Sequence, residues 1–194
     1  DLLGRDTVTP NIALLCQCIE RKVVLVTGAG GSIGSELCRQ ILCLNPAKLL
    51  LLDMNEYGLY QVECELRQLM KESKEPVAIQ ALLGSVLDQS RVEEILRTFQ
   101  VDTIYHAAAY KHVPMVEHNI VDGVRNNVFG TSVMAEAAAK FDVSTFVLIS
   151  TDKAVRATNI MGASKRMSEL VLQAYAVTHP HTTFCMVRFG NVLG

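Results

Sequence analysis

The sequence predicts an α/β domain built around a doubly wound parallel sheet. Short and almost continuously apolar runs, at 23–27 and 48–53, are typical of strands that are buried on both faces. Amphipathic stretches alternate with such runs, and this alternation predicts parallel strands joined by right-handed crossovers. A glycine-rich turn at 28–34 leads from the first strand directly into a helix. The natural closure is a Rossmann fold with strand order 3-2-1-4-5-6.

Each element follows from the pattern along the chain. Residues 1–21 predict a linker and a short docking helix, with an apolar stripe of Ile12, Leu15, Cys16 and Ile19. Residues 22–194 predict the α/β domain. Its predicted strands are 23–27, 48–53, 76–83, 101–106, 145–150 and 183–189. Its predicted helices are 35–42, 56–72, a segment containing 92–99, 120–140 and 159–177.

Composition excludes several classes of function. The net charge is −2 with interspersed signs, so the sequence predicts no nucleic-acid partner. The six cysteines lack Cys-x-x-Cys spacing, which favours reduced thiols over a disulfide framework or a metal site. No apolar run approaches the roughly 20 residues that cross a bilayer, and the N-terminus is not a signal peptide. The length fits one domain with a substantial core.

The glycine turn predicts a binding site for a dinucleotide. Gly28 permits a sharp turn out of the strand, Gly31 lets the backbone approach a pyrophosphate, and Gly34 lets the helix pack tightly. The N–H groups of the first helical turn then face the phosphates. The predicted contacts are Thr27, Gly28, Gly31, Ser32, Ile33 and Gly34. A purely structural turn is the alternative. A nucleoside-triphosphatase loop is excluded, because no Gly-Lys-Ser or Gly-Lys-Thr follows the glycines.

A carboxylate at the end of the second strand favours NAD as the cofactor. Asp53 lies about 20 residues beyond the glycine turn, where an acidic residue is expected to bind the adenosine ribose. Its charge would repel a 2′-phosphate and no arginine follows it until Arg67, so NAD is favoured over NADP. Asn55, in the same turn, is placed at the cofactor with Asp53. The alternative role for Asp53 is to cap the next helix.

Ligands bind such sheets at the carboxyl ends of the strands, and a polar segment follows the fourth strand there. Ala107, Ala108 and Ala109 are small enough to let a cofactor lie against the backbone. Lys111 and His112 follow them and can reach a nucleotide or a sugar. A solvated surface loop is the alternative interpretation.

Two further polar segments follow the fifth strand. Thr151, Asp152 and Lys153 place a hydroxyl, an acid and an amine side by side, and an elimination needs an adjacent acid and base. A capped loop with an incidental ion pair is the alternative. Met161 and Lys165 share one face of the next helix, where a lysine that merely extends to solvent is the alternative.

These segments together resemble the extended short-chain dehydrogenase/reductase superfamily, with its Thr-Gly-x-x-Gly-x-x-Gly turn, a Ser or Thr after the fifth strand, and a later lysine. Within it, the chain is most similar to the UDP-N-acetylglucosamine 4,6-dehydratases of capsular-polysaccharide and protein-glycosylation type. The resemblance covers essentially the whole chain. It is carried by residues 1–5, 26–37, 106–114, 150–155 and 161–166.

The resemblance implies a catalytic NAD that takes hydride from sugar C4 and returns it to C6 after water leaves across C5 and C6. Asp152 would protonate the leaving C6 hydroxyl, and Lys153 would take the C5 proton. Thr151 would hold or relay the C4 hydroxyl proton, and Lys165 would bind the nicotinamide ribose and depress neighbouring pKa values. Met161 stands where the superfamily usually has tyrosine, which marks a subtype, and a tyrosine is expected to be tolerated there.

The resemblance also implies contacts at the two ends of the site. Ser85 stands where many relatives have an aspartate that contacts the adenine amino group, and Val86 lies beside it. Lys111, His112 and Asn191 would contact the substrate, UDP-N-acetylglucosamine or a related nucleotide sugar.

The resemblance further implies a larger parent protein. Relatives continue into a small domain that grips UDP, so residues 22–194 are expected to bind NAD but to turn over little sugar nucleotide. The linker-like start suggests a membrane-attached parent, with this domain on the cytoplasmic side of the inner membrane. The long helices around the fifth strand are candidates for pairing in a homo-oligomer. A nucleotide-sugar 4-epimerase and an NAD-binding module without catalysis are the competing functions.

Overall fold

A single parallel sheet organises the chain. The computed structural model describes residues 9–71 and 76–191. Its strands are β1 (Val23–Thr27), β2 (Lys48–Asp53), β3 (Ala78–Leu83), β4 (Thr103–His106), β5 (Thr145–Thr151) and β6 (Thr183–Phe189). All pair in parallel, in the order β3-β2-β1-β4-β5-β6. The predicted doubly wound α/β fold and its strand order are confirmed.

Helices connect consecutive strands. They are α1 (Ile12–Gln17), α2 (Ser32–Leu42), α3 (Glu56–Met70), α4 (Gln89–Phe99), α5 (Val113–His118), α6 (Ile120–Val124), α7 (Gly130–Lys140) and α8 (Ile160–Thr178). A π-helical segment, Arg125–Phe129, joins α6 to α7, and a short 3-10 turn, Asp152–Ala154, follows β5. Among the helices of the described residues, none has both the length and the apolar character that a membrane span requires.

Two apolar layers lie on opposite faces of the sheet, because alternate side chains of a strand point to opposite sides. One layer packs Leu25, Leu50 and Phe146 against α4, α7 and α8. The other packs Val24 and Leu51 against α2 and α3. Strands β1 and β2 are thus covered on both faces, which explains their continuous apolar runs. A fully buried side chain of this size stabilises the fold by about 1.5–3 kcal/mol.

The prediction that α1 docks through an apolar stripe is wrong. The helix has no buried residue, and both Ile12 and Leu15 are exposed. It ends before Ile19, and it is this following turn that attaches to the domain. Ile19 is buried there, and the carbonyl of Cys18 accepts a hydrogen bond from Thr103 Oγ1 at 2.7 Å.

The predicted helix over 120–140 is interrupted. The π-helical segment separates α6 from α7, and α5 lies before them where a loop was expected. The wider turn of a π segment changes which side chains point inward, and both Asn126 and Asn127 are buried. The predicted linker at 1–8 and the predicted helix end at 72 lie outside the described residues.

Candidate functional site

A cleft opens at the carboxyl edge of the sheet, where β1 and β4 lie side by side. The strand order reverses there, and ligands bind at such points in open α/β sheets. The volume of this cofactor cleft is about 200 Å³. Its lining includes Gly28, Gly30, Gly31, Asp53, Met54, Asn55, Ser85, Val86, Ala107, Ala108, Ala109, Tyr110 and Asn126. Most of the predicted cofactor residues are therefore brought together.

The glycine turn contributes bare backbone to the cleft. Gly28 has a φ of 67°, in the left-handed region, and a Cβ there would lie 2.6 Å from the backbone nitrogen of Ala108. A Cβ on Gly34 would overlap the carbonyl oxygen of Gly28, so α2 packs directly on the turn. A Cβ on Gly31 would meet only that oxygen, at 3.3 Å. Gly28 and Gly34 thus shape the turn, whereas Gly31 keeps its backbone open to a ligand.

Four predicted cofactor residues of this turn do not line the cleft. Thr27 is fully buried, with its Oγ1 at 2.7 Å from His106 Nδ1, so its side chain does not face the cleft. Gly34 is buried beneath Gly28. Ser32 and Ile33 begin α2, and what they can offer a phosphate is their N–H groups, which have no intrahelical acceptor in the first turn.

Asp53 links the end of β2 to the glycine turn. Its Oδ2 accepts the Gly30 N–H at 2.8 Å, and its Oδ1 accepts the Asn55 N–H at 2.9 Å. The alternative role of Asp53 as a helix cap is not realised. Asn55 is the N-cap of α3, and its side chain accepts the Gly58 N–H at 3.1 Å. Asn55 lines the cleft, but this bond already engages its side-chain oxygen.

Of the other residues predicted to contact cofactor or substrate, one pair lines the cleft and one pair does not. Ser85 and Val86 lie in the cleft wall, where Ser85 Oγ accepts the Leu87 N–H at 3.2 Å and offers a hydroxyl in place of a carboxylate. Lys111 and His112 are exposed at the turn into α5 and do not line the cofactor cleft.

A second group of side chains, the acid–base cluster, consists of Thr151, Asp152 and Lys153 at the tip of β5, and Asn191, which follows β6, contacts it. Thr151 Oγ1 donates to Asp152 Oδ1 at 2.9 Å and accepts the Lys153 N–H at 3.3 Å. Lys153 Nζ donates to Asp152 Oδ1 at 3.3 Å and to Asn191 Oδ1 at 3.2 Å. The hydrogen bonds from Thr151 and Lys153 hold the pKa of the Asp152 carboxyl below its usual range.

Helix α8 carries two predicted residues, and both are buried. The exposed fraction is 3% for Met161 and 4% for Lys165. Burial lowers the pKa of Lys165 to about 8, although the charge of Glu169 acts in the opposite direction. In the described parts of the chain, its ammonium has no hydrogen-bond partner. The helix begins against the acid–base cluster, because Gly162 lets its backbone touch the carbonyl of Lys153.

Comparison with known proteins gives the family. Residues 24–194 match the model of a family described as polysaccharide biosynthesis protein. The chain belongs to this family. It is 45% identical to the capsular polysaccharide biosynthesis protein CapD of Staphylococcus aureus, over the whole chain and 32% of CapD.

The chain is also similar to nucleotide-sugar enzymes. A UDP-N-acetylglucosamine 4,6-dehydratase (inverting) of Campylobacter jejuni is 30% identical over 90% of the chain and 50% of that enzyme. A UDP-glucose 4-epimerase of Rickettsia bellii is 29% identical over 89% of the chain and 49% of that enzyme. The structure of DesIV, a dTDP-glucose 4,6-dehydratase of Streptomyces venezuelae with NAD bound, matches with a TM-score of 0.74 at 26% identity, over 86% of the chain and 55% of DesIV. The chain thus spans a third to about half of these proteins.

In this member of the polysaccharide biosynthesis family, sequence reasoning missed His106, a buried residue behind the cleft wall. His106 Nε2 lies 3.1 Å from Thr131 Oγ1, which itself donates to the Asn127 carbonyl at 2.6 Å. Nε2 must therefore carry the ring proton, and Nδ1 accepts from the Thr27 hydroxyl. Burial lowers the pKa of His106 to about 3, with a further contribution from the charge of Lys165, so the ring is neutral.

Asn127 of the π-helical segment was also missed, and it ties the cleft wall to α8. Its Oδ1 accepts the Tyr110 N–H at 2.8 Å, and its Nδ2 donates to the Tyr110 carbonyl and to Ser164 Oγ, each at 3.0 Å. The Tyr110 hydroxyl donates a hydrogen bond to Met54 Sδ at 3.9 Å, and Met54 directly follows β2. Only the sequence pair Asn126-Asn127, polar residues within an otherwise helical pattern, could have signalled this site.

Proposed function

We propose that this chain is the NAD-binding part of a nucleotide-sugar 4,6-dehydratase that acts on UDP-N-acetylglucosamine or a closely related sugar nucleotide. The observation that carries the proposal is the mutual contact of Thr151, Asp152 and Lys153 at the tip of β5. An elimination needs an acid and a base side by side. Similarity to the Campylobacter jejuni dehydratase supports the same reaction.

The residues of the cofactor cleft fit NAD. Gly31 leaves open backbone where a diphosphate would lie, at the start of α2. Each carboxylate oxygen of Asp53 accepts one N–H, so both retain a lone pair for ribose hydroxyls. The Asp53 charge disfavours a 2′-phosphate, which supports NAD over NADP. The buried Lys165 ammonium would donate to the nicotinamide ribose. The structure of the similar DesIV contains NAD, which supports binding of this cofactor.

The proposed reaction divides the chemistry between cofactor and chain. Bound NAD would supply the hydride chemistry, from sugar C4 to C6. Thr151 would relay the C4 hydroxyl proton toward solvent during the first step. Lys153 would take the C5 proton, and Asp152 would protonate the C6 hydroxyl, which departs as water. Lys153 would then return a proton to C5 when hydride reaches C6, which gives the 4-keto-6-deoxy product, and Asp152 would regain its proton from solvent.

In the ion pair, Asp152 is a carboxylate and Lys153 is an ammonium, which is the reverse of what elimination requires. The acid needs a proton, and the base must lose one. A single proton transfer from Lys153 Nζ to Asp152 Oδ1, which lie 3.3 Å apart, would set both groups at once. Exclusion of water favours the neutral form of such a pair over the charged form. A sugar nucleotide that covers the tip of β5 would therefore prepare the pair for reaction.

Proton NMR of the full-length protein with UDP-N-acetylglucosamine in heavy water tests the proposal. We expect a methyl group at C6 and deuterium at C5 of the product. A product that keeps its C6 hydroxyl would replace the dehydratase with a 4-epimerase, to which the chain is also similar. Binding of NAD without conversion of any nucleotide sugar would favour the module without catalysis.

The organisation of the whole protein stays a prediction from the resemblance. It comprises a UDP-gripping domain after residues 22–194, membrane attachment with this domain on the cytoplasmic side, and pairing of subunits through the helices around β5.

A further inference from the structure

A buried carboxylate in α8 joins three separate elements. Glu169 has an exposed fraction of 0%. Its Oε1 accepts from Ser150 Oγ at 2.6 Å and from Arg188 Nε at 2.7 Å. Its Oε2 accepts from Arg166 Nη1 at 3.0 Å and from Arg188 Nη2 at 2.5 Å. These four residues, from β5, α8 and β6, are called the Glu169 cluster here.

Each partner of Glu169 lies within three residues of a residue of the proposed site. Ser150 directly precedes Thr151, and Arg166 directly follows Lys165. Arg188 lies three residues before Asn191 and is the register partner of Ser150 across β5 and β6. One carboxylate therefore holds the tip of β5, the tip of β6 and the face of α8 that carries Lys165.

The carboxylate of Glu169 is fully engaged within the cluster. Burial alone would raise the pKa of Glu169, but the hydrogen bonds from Arg188, Ser150 and Arg166 outweigh it and hold the pKa at about 2. The carboxylate is therefore ionised, and both of its oxygens are occupied. Lys165, one turn earlier in α8, is consequently not bound in an ion pair with Glu169 and stays available to a ligand.

A buried charge with several partners is a weak source of stability, since desolvation offsets much of the attraction. Its geometric effect is strong, because a bidentate guanidinium and a short hydroxyl contact permit little displacement. We propose that Glu169 is a positioning residue that fixes the acid–base cluster and Asn191 relative to Lys165. The proposal rests on the proposed function, and Glu169 itself touches neither substrate nor cofactor.

Two variants of the full-length protein separate positioning from folding. Glu169→Gln keeps the shape and removes the charge, whereas Ser150→Ala removes one of the four hydrogen bonds. Glu65→Gln is the matched control, because it removes a carboxylate that pairs with Arg39 at 2.6 Å on the exposed surface. The three readouts are NAD affinity, kcat for 4-keto product, and backbone hydrogen exchange at the two strand tips.

We expect Glu169→Gln and Ser150→Ala to retain NAD binding, because the residues that line the cofactor cleft lie outside the Glu169 cluster, and any loss of affinity should be limited to the contact with Lys165. We expect kcat to fall by about 10- to 100-fold, as small misplacements of reacting groups do. Hydrogen exchange should rise at 151–153 and 189–191 and stay unchanged at 28–34. Glu65→Gln should leave all three readouts unchanged.

If Glu169 served folding alone, the variants would have a lower melting temperature without faster hydrogen exchange at the strand tips. That result overturns the proposal. An unchanged kcat in a folded variant overturns it as well. Should Glu169→Gln not fold, Ser150→Ala decides on the same readouts. If the wild-type protein forms no 4-keto product, the proposed function fails, and hydrogen exchange alone then decides on the positioning role.

Discussion

Lys153 Nζ lies 3.3 Å from Asp152 Oδ1, so the proposed base and the proposed acid are within proton-transfer distance of each other. Replacing Asp152 with asparagine leaves no carboxylic proton for the departing hydroxyl. We expect Asp152→Asn to slow water loss by about 100-fold or more. Oxidation at C4 should persist, whereas exchange at C5 should slow as well, because Lys153 loses the carboxylate that takes its proton. Proton NMR in heavy water measures both. Glu94→Gln, at an exposed carboxylate, is the control, and normal water loss in Asp152→Asn would assign the acid elsewhere.

Thr151 is expected to be needed for its hydroxyl. Its Oγ1 donates to Asp152 and accepts the Lys153 N–H, and valine has the same shape without either bond. We expect Thr151→Val to be nearly inactive in the full-length enzyme, whereas Thr151→Ser keeps most of the activity. Steady-state turnover measures the difference, and equal activity of Thr151→Val and wild type would remove the proposed role in C4 proton transfer.

The burial of Met161 changes the expectation for a tyrosine at this position. Only 3% of Met161 is exposed, so the larger phenol must displace its neighbours. We expect Met161→Tyr to lower the free energy of unfolding by about 1–3 kcal/mol. Met161→Leu, of similar volume, should cost less than about 1.5 kcal/mol. Chemical denaturation gives both values, and a tyrosine variant as stable as wild type would show that the pocket is open to a larger side chain.

Lys165 is expected to reduce stability while it serves ligand binding. A pKa lowered from 10.5 to about 8 corresponds to about 3 kcal/mol. Below pH 8 the buried lysine is charged in the folded chain, so Lys165→Met should be more stable than wild type there. From pH 8 to 10.5 the unfolded chain binds a proton that the folded chain has lost, and wild-type stability rises.

The advantage of Lys165→Met should therefore shrink across this pH range, and denaturation of the full-length protein below pH 8 and above pH 10.5 measures the change. An advantage that is independent of pH would mean that the lysine does not titrate in this range.

Alanine substitutions at two glycines of the same turn are expected to have different effects, one on stability and the other on NAD binding. A Cβ on Gly34 overlaps the Gly28 carbonyl, so Gly34→Ala should destabilise the fold by about 2–4 kcal/mol. Gly31→Ala meets that oxygen only at 3.3 Å and should cost about 1 kcal/mol or less, yet weaken NAD binding at least about tenfold. Thermal unfolding and calorimetric NAD titration separate the two effects. Wild-type NAD affinity in a folded Gly31→Ala would contradict the proposed path of the diphosphate.

Local patterns predicted the parts of this molecule that depend on neighbours in sequence. The bounds of β2 and β6 agree with the apolar runs, and the Thr151–Lys153 turn is contiguous, so its side chains must meet. The glycine turn was predicted because its spacing lies within seven residues, although Gly28 also packs against the distant backbone of Ala108. The docking of α1 was predicted wrongly, because a periodic stripe does not reveal that the helix stops before Ile19.

Features that depend on distant residues had no local signal. The Glu169 cluster joins residues from three elements, and Glu169 looks in the sequence like any polar residue of an amphipathic helix. The π-helical segment has ordinary helix-forming residues on both sides. Asn127 could be assigned to the cleft wall only after the structure brought it to Tyr110.

The neutral ring of His106 makes the native state sensitive to acid. Its pKa of about 3 in the folded chain lies below the ordinary 6.5, so between these values only the unfolded chain binds the extra proton. The free energy of unfolding therefore falls as the pH is lowered from 6.5 toward 3. An imidazole beneath the cofactor cleft thus contributes to the acid sensitivity of this domain, together with the Glu169 carboxylate, whose pKa is also lowered in the folded chain.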